Sequence, residues 1–411
     1  WSRVLMFRAL RRHTSLCHRR LSSIADSARG PLHVQSLLAH AGCEIDESTG
    51  ALTPPIHLSS TFQRDADNEY RRGFVYARAQ NPTRDLLERS LARLEAGSDA
   101  VAFASGMAAV SATLQALCKP GDRVLIPDDA YHGVRHLISN VYEKWGLRVQ
   151  QVDMSAPEAV ESALQQGAAL VWLETPSNPM LKVTDVASIS ALCAARGVPC
   201  VVDATWCTPA LLRPLEHGAS LVVHSSTKYL GGHSDLTGGV VIGGEAAADE
   251  VRRVREVQQL AGAVASPFDC WLLLRGLRSL AARMPLHCSN ALRVAAFLRD
   301  HPAVSAVHYP GLPEHPQHAL AAAQLPNGYG GMLSFQCEGG REAAVAVAAS
   351  TRLFVRATSL GMTATLLNVH RAWAWAWMWA LDVLSIGWHA HGHVCVWAWS
   401  TGMNMDHLLA P

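Results

Sequence analysis

From about residue 100 the chain alternates short apolar runs with longer stretches of helical periodicity, and this alternation restricts the fold more than any other feature. The runs are Val101–Phe103, Arg123–Ile126, Leu147–Val152, Ala169–Glu174, Pro199–Ala204, Ser220–His224 and Gly239–Ile242. Short, mostly apolar strands of this kind are buried on both faces, which requires helices above and below a largely parallel sheet. Met107–Leu117 and Val186–Arg196 between the runs, and Asp85–Glu95 before the first, carry the helical spacing that would cover it. The expectation is an α/β fold built on a large, mostly parallel seven-stranded sheet. In such sheets ligands bind beyond the carboxyl ends of the strands. The polar residues found there are Ser105, Glu174, Asp203, Ser225, Thr227 and Lys228.

A chain of 411 residues exceeds one compact core. Residues 76–266 hold the sheet, and a smaller α/β unit is expected over 267–361. There Pro267-Phe268-Asp269 opens a helical stretch through Arg299, followed by the strand-like runs Val304–Tyr309 and Gly331–Phe335. Residues 30–75 show no repeating pattern and read as an extended arm. Residues 1–29 are rich in arginine and serine with a single acid, Asp26, the composition of a plastid or mitochondrial transit peptide, with the cytoplasm as the alternative. Residues 362–411 break the grammar of the rest: a nearly acid-free tail in which Trp373, Trp375, Trp377 and Trp379 alternate with alanine. As a strand, 372–380 would put every tryptophan on one face, and the tail reads as a mistranslated or alternatively spliced end.

A net charge of +1 leaves no field to recruit nucleic acid or an anionic membrane, and no apolar run is long enough to span a bilayer. The expected partner is a small molecule. Ten scattered cysteines with no C-x-x-C pair argue against structural zinc and against a disulfide scaffold.

Only four lysines occur, Lys119, Lys144, Lys182 and Lys228, so the search for an imine-forming amine is short. The first three sit in polar or proline-bounded contexts and read as solvated. Lys228 follows the apolar run Leu221-Val222-Val223 with Ser225 and Thr227 beside it, where hydroxyls and backbone N–H groups can hold a phosphate. That is how a Schiff-base lysine is presented to pyridoxal 5′-phosphate (PLP). Asp203, ending Val201-Val202, is the right acid for a pyridinium nitrogen. Ser105-Gly106-Met107 ends one strand and opens a helix, whose N-terminus suits the phosphate.

The chain resembles the Cys/Met-metabolism PLP enzymes, the transsulfuration family of cystathionine γ-synthases, γ-lyases and β-lyases and methionine γ-lyases. The resemblance rests on Tyr76-Ala77-Arg78, Asn81-Pro82-Thr83-Arg84, Ser105-Gly106-Met107, Asp129-Ala130-Tyr131, Glu174-Thr175-Pro176-Ser177-Asn178-Pro179, Val202-Asp203-Ala204-Thr205 and Ser225-Ser226-Thr227-Lys228, in the family's order over about residues 50–361. It implies the PLP-dependent fold type I and a role for each residue. Lys228 would bind the cofactor and shuttle the substrate proton, Tyr131 would stack on the ring, and Asp203 and Asn178 would meet its nitrogen and phenolic oxygen. Ser105, Gly106, Met107, Thr205, Ser225 and Thr227 would complete the cofactor site, and Ser359, in Thr358-Ser359-Leu360-Gly361, would lie against the substrate. Tyr76 and Arg78 would reach the phosphate of a neighbouring subunit in a homotetramer of two dimers.

The implied activity is β- or γ-carbon elimination or replacement on a sulfur-bearing or O-activated amino acid, with cystathionine γ-synthase ahead of γ-lyase and β-lyase. Four positions depart from the family: Ala204 stands for asparagine, His132 for a glycine, and Val75 for the glutamate of many γ-lyases. Past Gly361 the family's carboxylate-gripping arginine is missing, since Arg371 does not match that motif. A non-catalytic PLP-family chain is therefore the second reading. An aminotransferase is disfavoured by the lysine segment, and His132 reads as a loop residue.

Overall fold

The computed structural model describes residues 32–352 and 354–363, and the backbone of 366–370 and 393–397. The leader 1–29 and the tryptophan run 372–380 lie outside the described residues. The seven apolar runs form β1 (Asp99–Phe103), β2 (Arg123–Pro127), β3 (Arg148–Val152), β4 (Leu170–Glu174), β5 (Cys200–Asp203), β6 (Leu221–His224) and β7 (Gly239–Gly243). They lie side by side in the order β1-β7-β6-β5-β4-β2-β3. β3, β2, β4, β5 and β6 run parallel, and β7 is antiparallel to both β6 and β1.

Alternate residues of one strand feed separate cores on the two faces. Val171, Leu173, Val202 and Val222 pack on one side; Leu170, Trp172, Val201 and Val223 pack on the other. Each such side chain contributes roughly 1.5–3 kcal/mol on burial, which is why a one-residue slip in register is excluded. The covering helices include Pro82–Leu94, Gly106–Leu117, Pro157–Gln165, Val186–Ala194 and Ala248–Ala261. The first begins where the Asn81 side chain accepts from the Thr83 and Arg84 N–H groups, with Pro82 supplying no donor of its own.

A 33-residue helix, Pro267–Arg299, opens the second unit, capped by the Ser266 hydroxyl accepting from Asp269 N–H. Its sheet runs β10-β11-β12-β9-β8. The strands are β8 (Val304–His308), β9 (Met332–Cys337), β10 (Val355–Arg356), β11 (Leu366–His370) and β12 (His393–Trp397). The sheet therefore continues past residue 361 into the segment set apart by its composition. Leu366–His370 and His393–Trp397 are rich in β-formers and pair with each other in register.

The arm is not extended throughout. Its start is the helix Val34–Ala39, and Arg278 of the long helix donates to the Ala41 carbonyl at 2.9 Å. The remainder rejoins the body at an antiparallel bridge between Thr61 and Tyr76. No helix among the described residues is long and apolar enough to cross a membrane.

Candidate active site

The carboxyl ends of β4, β5 and β6 open into a cleft of about 250 Å³. Eleven of the thirteen residues to which the family resemblance gives a role line it: Ser105, Gly106, Met107, Tyr131, Asn178, Asp203, Thr205, Ser225, Thr227, Lys228 and Ser359; Glu174, singled out at its strand end, lines it too. Tyr76 and Arg78 do not. Tyr76 is half exposed, and the Arg78 guanidinium donates to the Gln259 carbonyl on the outer surface.

The convergence follows from register. Glu174 at the end of β4 pairs with Asp203 at the end of β5, and Asp203 pairs with Val223, so the turn after β6 delivers Ser225 through Lys228 beside them. Asp203 Oδ1 accepts from the Thr205 hydroxyl at 2.5 Å and from Thr205 N–H at 3.0 Å. The same hydroxyl oxygen accepts from Ser225 N–H at 2.8 Å, tying the acid to the lysine loop. Lys228 Nζ donates to Ser359 Oγ at 2.9 Å, so the second unit closes the cleft over the amine.

Lys228 sits with its amine pushed below the ordinary lysine range by burial, which favours the neutral, nucleophilic form. Burial raises the Asp203 carboxyl, and the Thr205 donors and His224 oppose that rise. Burial and then the neighbouring Asp203 hold Glu174 well above the usual carboxylate range. Burial also raises the Tyr131 phenol, with Glu174 and Asp203 adding to it, so the hydroxyl keeps its proton.

These residues fit a phosphorylated pyridine aldehyde on structural grounds. Asn178 Oδ1 is buried without a partner among the described residues, a polar atom open to a ligand group. Helix Gly106–Leu117 points its N-terminus at Ser225, and a Cβ on residue 106 would fall 2.8 Å from Ser225 Cβ. Only glycine lets the helix start that close, which is the arrangement a phosphate needs. Gly238 N–H donates to Thr227 Oγ1 at 2.9 Å, fixing the second hydroxyl of the pair.

The structure adds residues that sequence reasoning passed over. Trp206, Thr237, Thr358 and Leu360 also line the cleft. His132, read as a loop residue, instead opens the helix His132–Leu137 and lines the cleft, its ring 4.4 Å from the Tyr131 ring. Its position directly after Tyr131 was the available signal. Lys182, read as solvated, is ion-paired with Asp128 and Asp153. No cluster of three or more metal-ligating side chains occurs among the described residues.

The family model for Cys/Met metabolism PLP-dependent enzymes matches residues 35–378. A cystathionine gamma-synthase of Mycobacterium tuberculosis is 47% identical over 328 residues, covering 80% of this chain and 84% of that protein. A cystathionine beta-lyase of Coxiella burnetii is 41% identical over 336 residues, covering 82% and 86%. Among solved structures, the cystathionine gamma synthase of Xanthomonas oryzae pv. oryzae in complex with cystathionine superposes with a TM-score of 0.83 at 38% identity, covering 90% of this chain and 94% of that one. With the match spanning both units and the lysine cleft between its strand ends, the chain belongs to the Cys/Met metabolism PLP-dependent enzymes.

Proposed function

We propose that this chain is a transsulfuration enzyme working as a cystathionine γ-synthase, joining a thiol amino acid to the γ carbon of an O-activated one by replacement. The observation that carries the reading is the meeting of Lys228, Asp203, Asn178 and Tyr131 in one cleft, in a chain nearly half identical to a cystathionine gamma-synthase. PLP, once bound, supplies an electron sink for the substrate's α carbon. Lys228 both holds the cofactor and moves the α proton, its amine kept available by burial and its direction set by Ser359. Asp203 would supply the negative charge for the ring nitrogen, and Tyr131 would cover the ring. Ser225, Thr227, Gly106 and Met107 hold the phosphate at the helix N-terminus.

Tyr76 and Arg78 belong to the same reading as residues lent to a neighbouring subunit, within a homotetramer of two dimers. Their exposure on the outer surface supports it. The composition of segment 1–29 supports import into a plastid or a mitochondrion. A second reading, a PLP-binding chain that does not turn over amino acids, is favoured by one observation. Among the described residues lining the cleft none is an arginine, the group best shaped to grip a carboxylate.

The test is the visible spectrum of the chain with PLP before and after L-cystathionine, with Lys228→Ala as control. A cofactor band that needs Lys228 and moves on adding cystathionine supports the enzyme. A band indifferent to amino acids leaves the non-catalytic reading, and no band removes Lys228 from the assignment. Cystathionine formed from cysteine and an O-acylated homoserine separates the synthase from a lyase, which would release ammonia and a 2-oxo acid.

A further inference from the structure

Among the described residues of the cleft, Glu174 is the one buried ionisable group without a part in the chemistry above. It is 2% exposed, lines the cleft, and faces Asp203 across the β4–β5 register. Its Oε2 accepts from the Tyr131 backbone N–H at 2.7 Å, while its Oε1 has no partner among the described residues. We propose that Glu174 is a positioning residue that works as an uncharged carboxylic acid: its carbonyl oxygen holds the Tyr131 backbone, and its hydroxyl remains as a hydrogen-bond donor to what enters the cleft.

The assignment of the proton follows from counting donors. Two carboxyl groups side by side in a buried site do not both ionise. Asp203 receives two hydrogen bonds from Thr205 on one oxygen, whereas Glu174 receives one, from Tyr131. The better-supported anion is therefore Asp203, and the proton stays on Glu174. The other charged groups acting on Glu174 are Asp129, which reinforces the effect, and Arg135, which opposes it from the helix His132–Leu137. A protonated carboxylic acid pairs a carbonyl acceptor with a donor group on the other atom, an arrangement a primary amide reproduces with its carbonyl and NH2. Glutamine is thus an isosteric copy of the proposed state, and alanine removes it.

The position of Tyr131 depends on this bond. Its residue opens helix His132–Leu137 with no side-chain cap of its own. A Cβ on Gly133 would lie 2.5 Å from Tyr131 Cε1, so the tyrosine ring folds tightly across the first turn. The Glu174 acceptor fixes the point where that turn starts.

The inference rests on the PLP reading for its consequence, and its test does not. Hydrogen exchange of the peptide spanning 128–137 is compared in cofactor-free wild type, Glu174→Gln and Glu174→Ala, with PLP affinity measured on the same samples. The expected result is wild-type protection in the glutamine variant and about tenfold faster exchange in the alanine variant. PLP affinity should stay within about twofold for glutamine and fall about tenfold for alanine, one hydrogen bond's worth. Should alanine fail to fold, the glutamine variant decides alone: loosened exchange there means the charged carboxylate is required, and the proposal is overturned. Unchanged exchange in a folded alanine variant overturns it equally. A wild-type chain that binds no PLP sinks the cofactor reading and leaves the exchange result to judge Glu174.

Discussion

The floor of the cleft and the Tyr76–Arg78 segment bear the same sequence signature of a cofactor site and have opposite structural fates. On the floor, residues from three strand ends 20 to 30 positions apart are forced together, because parallel register leaves each strand one place to end. Tyr76 and Arg78 lie on the outside, the arginine 5.9 Å from the tyrosine ring and bonded to the surface carbonyl of Gln259. The surface segment is nonetheless well anchored. Arg84, itself buried, donates to the Ala77 carbonyl at 2.8 Å and reaches the Arg78 carbonyl at 3.4 Å. Glu88 beside it pairs with Arg255 at 2.9 Å and accepts from Ala102 N–H of β1. The backbone of the segment is firmly held while its Tyr76 and Arg78 side chains are exposed. The floor is assembled within one chain, whereas Tyr76 and Arg78 are held outside it.

The largest effect tests the floor. Lys228→Ala should abolish the lysine-dependent cofactor band and lower turnover about a thousandfold or more, since both attachment and proton transfer pass through one amine. Stopped-flow spectra and steady-state assays on the same preparation check it. Retained turnover would mean that the floor is not the reactive centre.

Next comes the anchor of the surface segment. Glu88→Ala takes away the buried carboxylate facing Arg84, whose guanidinium is held below its ordinary value by burial, leaves Arg255 with Asp99 alone as its ion-pair partner, and leaves Ala102 N–H without its acceptor. Removing one partner of a buried ion pair costs about 3–5 kcal/mol. Urea denaturation should show that loss, and a change under about 1 kcal/mol would mean that the network is not what fixes the segment.

Arg78→Ala separates the two regions directly. It should weaken PLP binding about tenfold through a lost phosphate contact, with little change in chain stability. Mixed with Lys228→Ala under subunit exchange, about a quarter of the sites should recover, because half the dimers pair one intact lysine with one intact arginine. No recovery would place both residues' function within a single chain and collapse the distinction.

The fold of the sheet was legible because its strands are apolar runs at fixed spacing, and the observed strand ends fall within about two residues of the expected ones. Its antiparallel member β7 was not, since Gly239–Gly243 has the same composition as its parallel neighbours and only the connection decides direction. Asp203, Ser225 and Lys228 were legible as polar punctuation after buried strands. Glu174 was visible by the same rule without a role, because its function depends on a bond to Tyr131 43 positions away. Thr237 and Thr358 received no role for the same reason: loops carry them into the cleft, and no local period encodes where a loop crosses. The strands β11 and β12 were hidden by composition, their neighbours being so rich in tryptophan that the whole tail read as foreign.

The smallest expected effect probes where the two units meet. Lys228 Nζ has one described hydrogen-bond partner, Ser359 Oγ, which accepts its proton and so favours the charged amine, while burial favours the neutral one. Burial wins, so capture of an aldehyde at Lys228, trapped by reduction and read by mass spectrometry, should rise with pH at a midpoint below the ordinary lysine value. Ser359→Ala removes the opposing interaction and should move that midpoint further down, with the maximal rate little changed. A midpoint that moves up would mean the serine acts by excluding solvent rather than by accepting the proton. An unmoved midpoint would mean that the second unit does not set the reactivity of the floor, and that the chemistry of the cleft is written wholly in the strand ends.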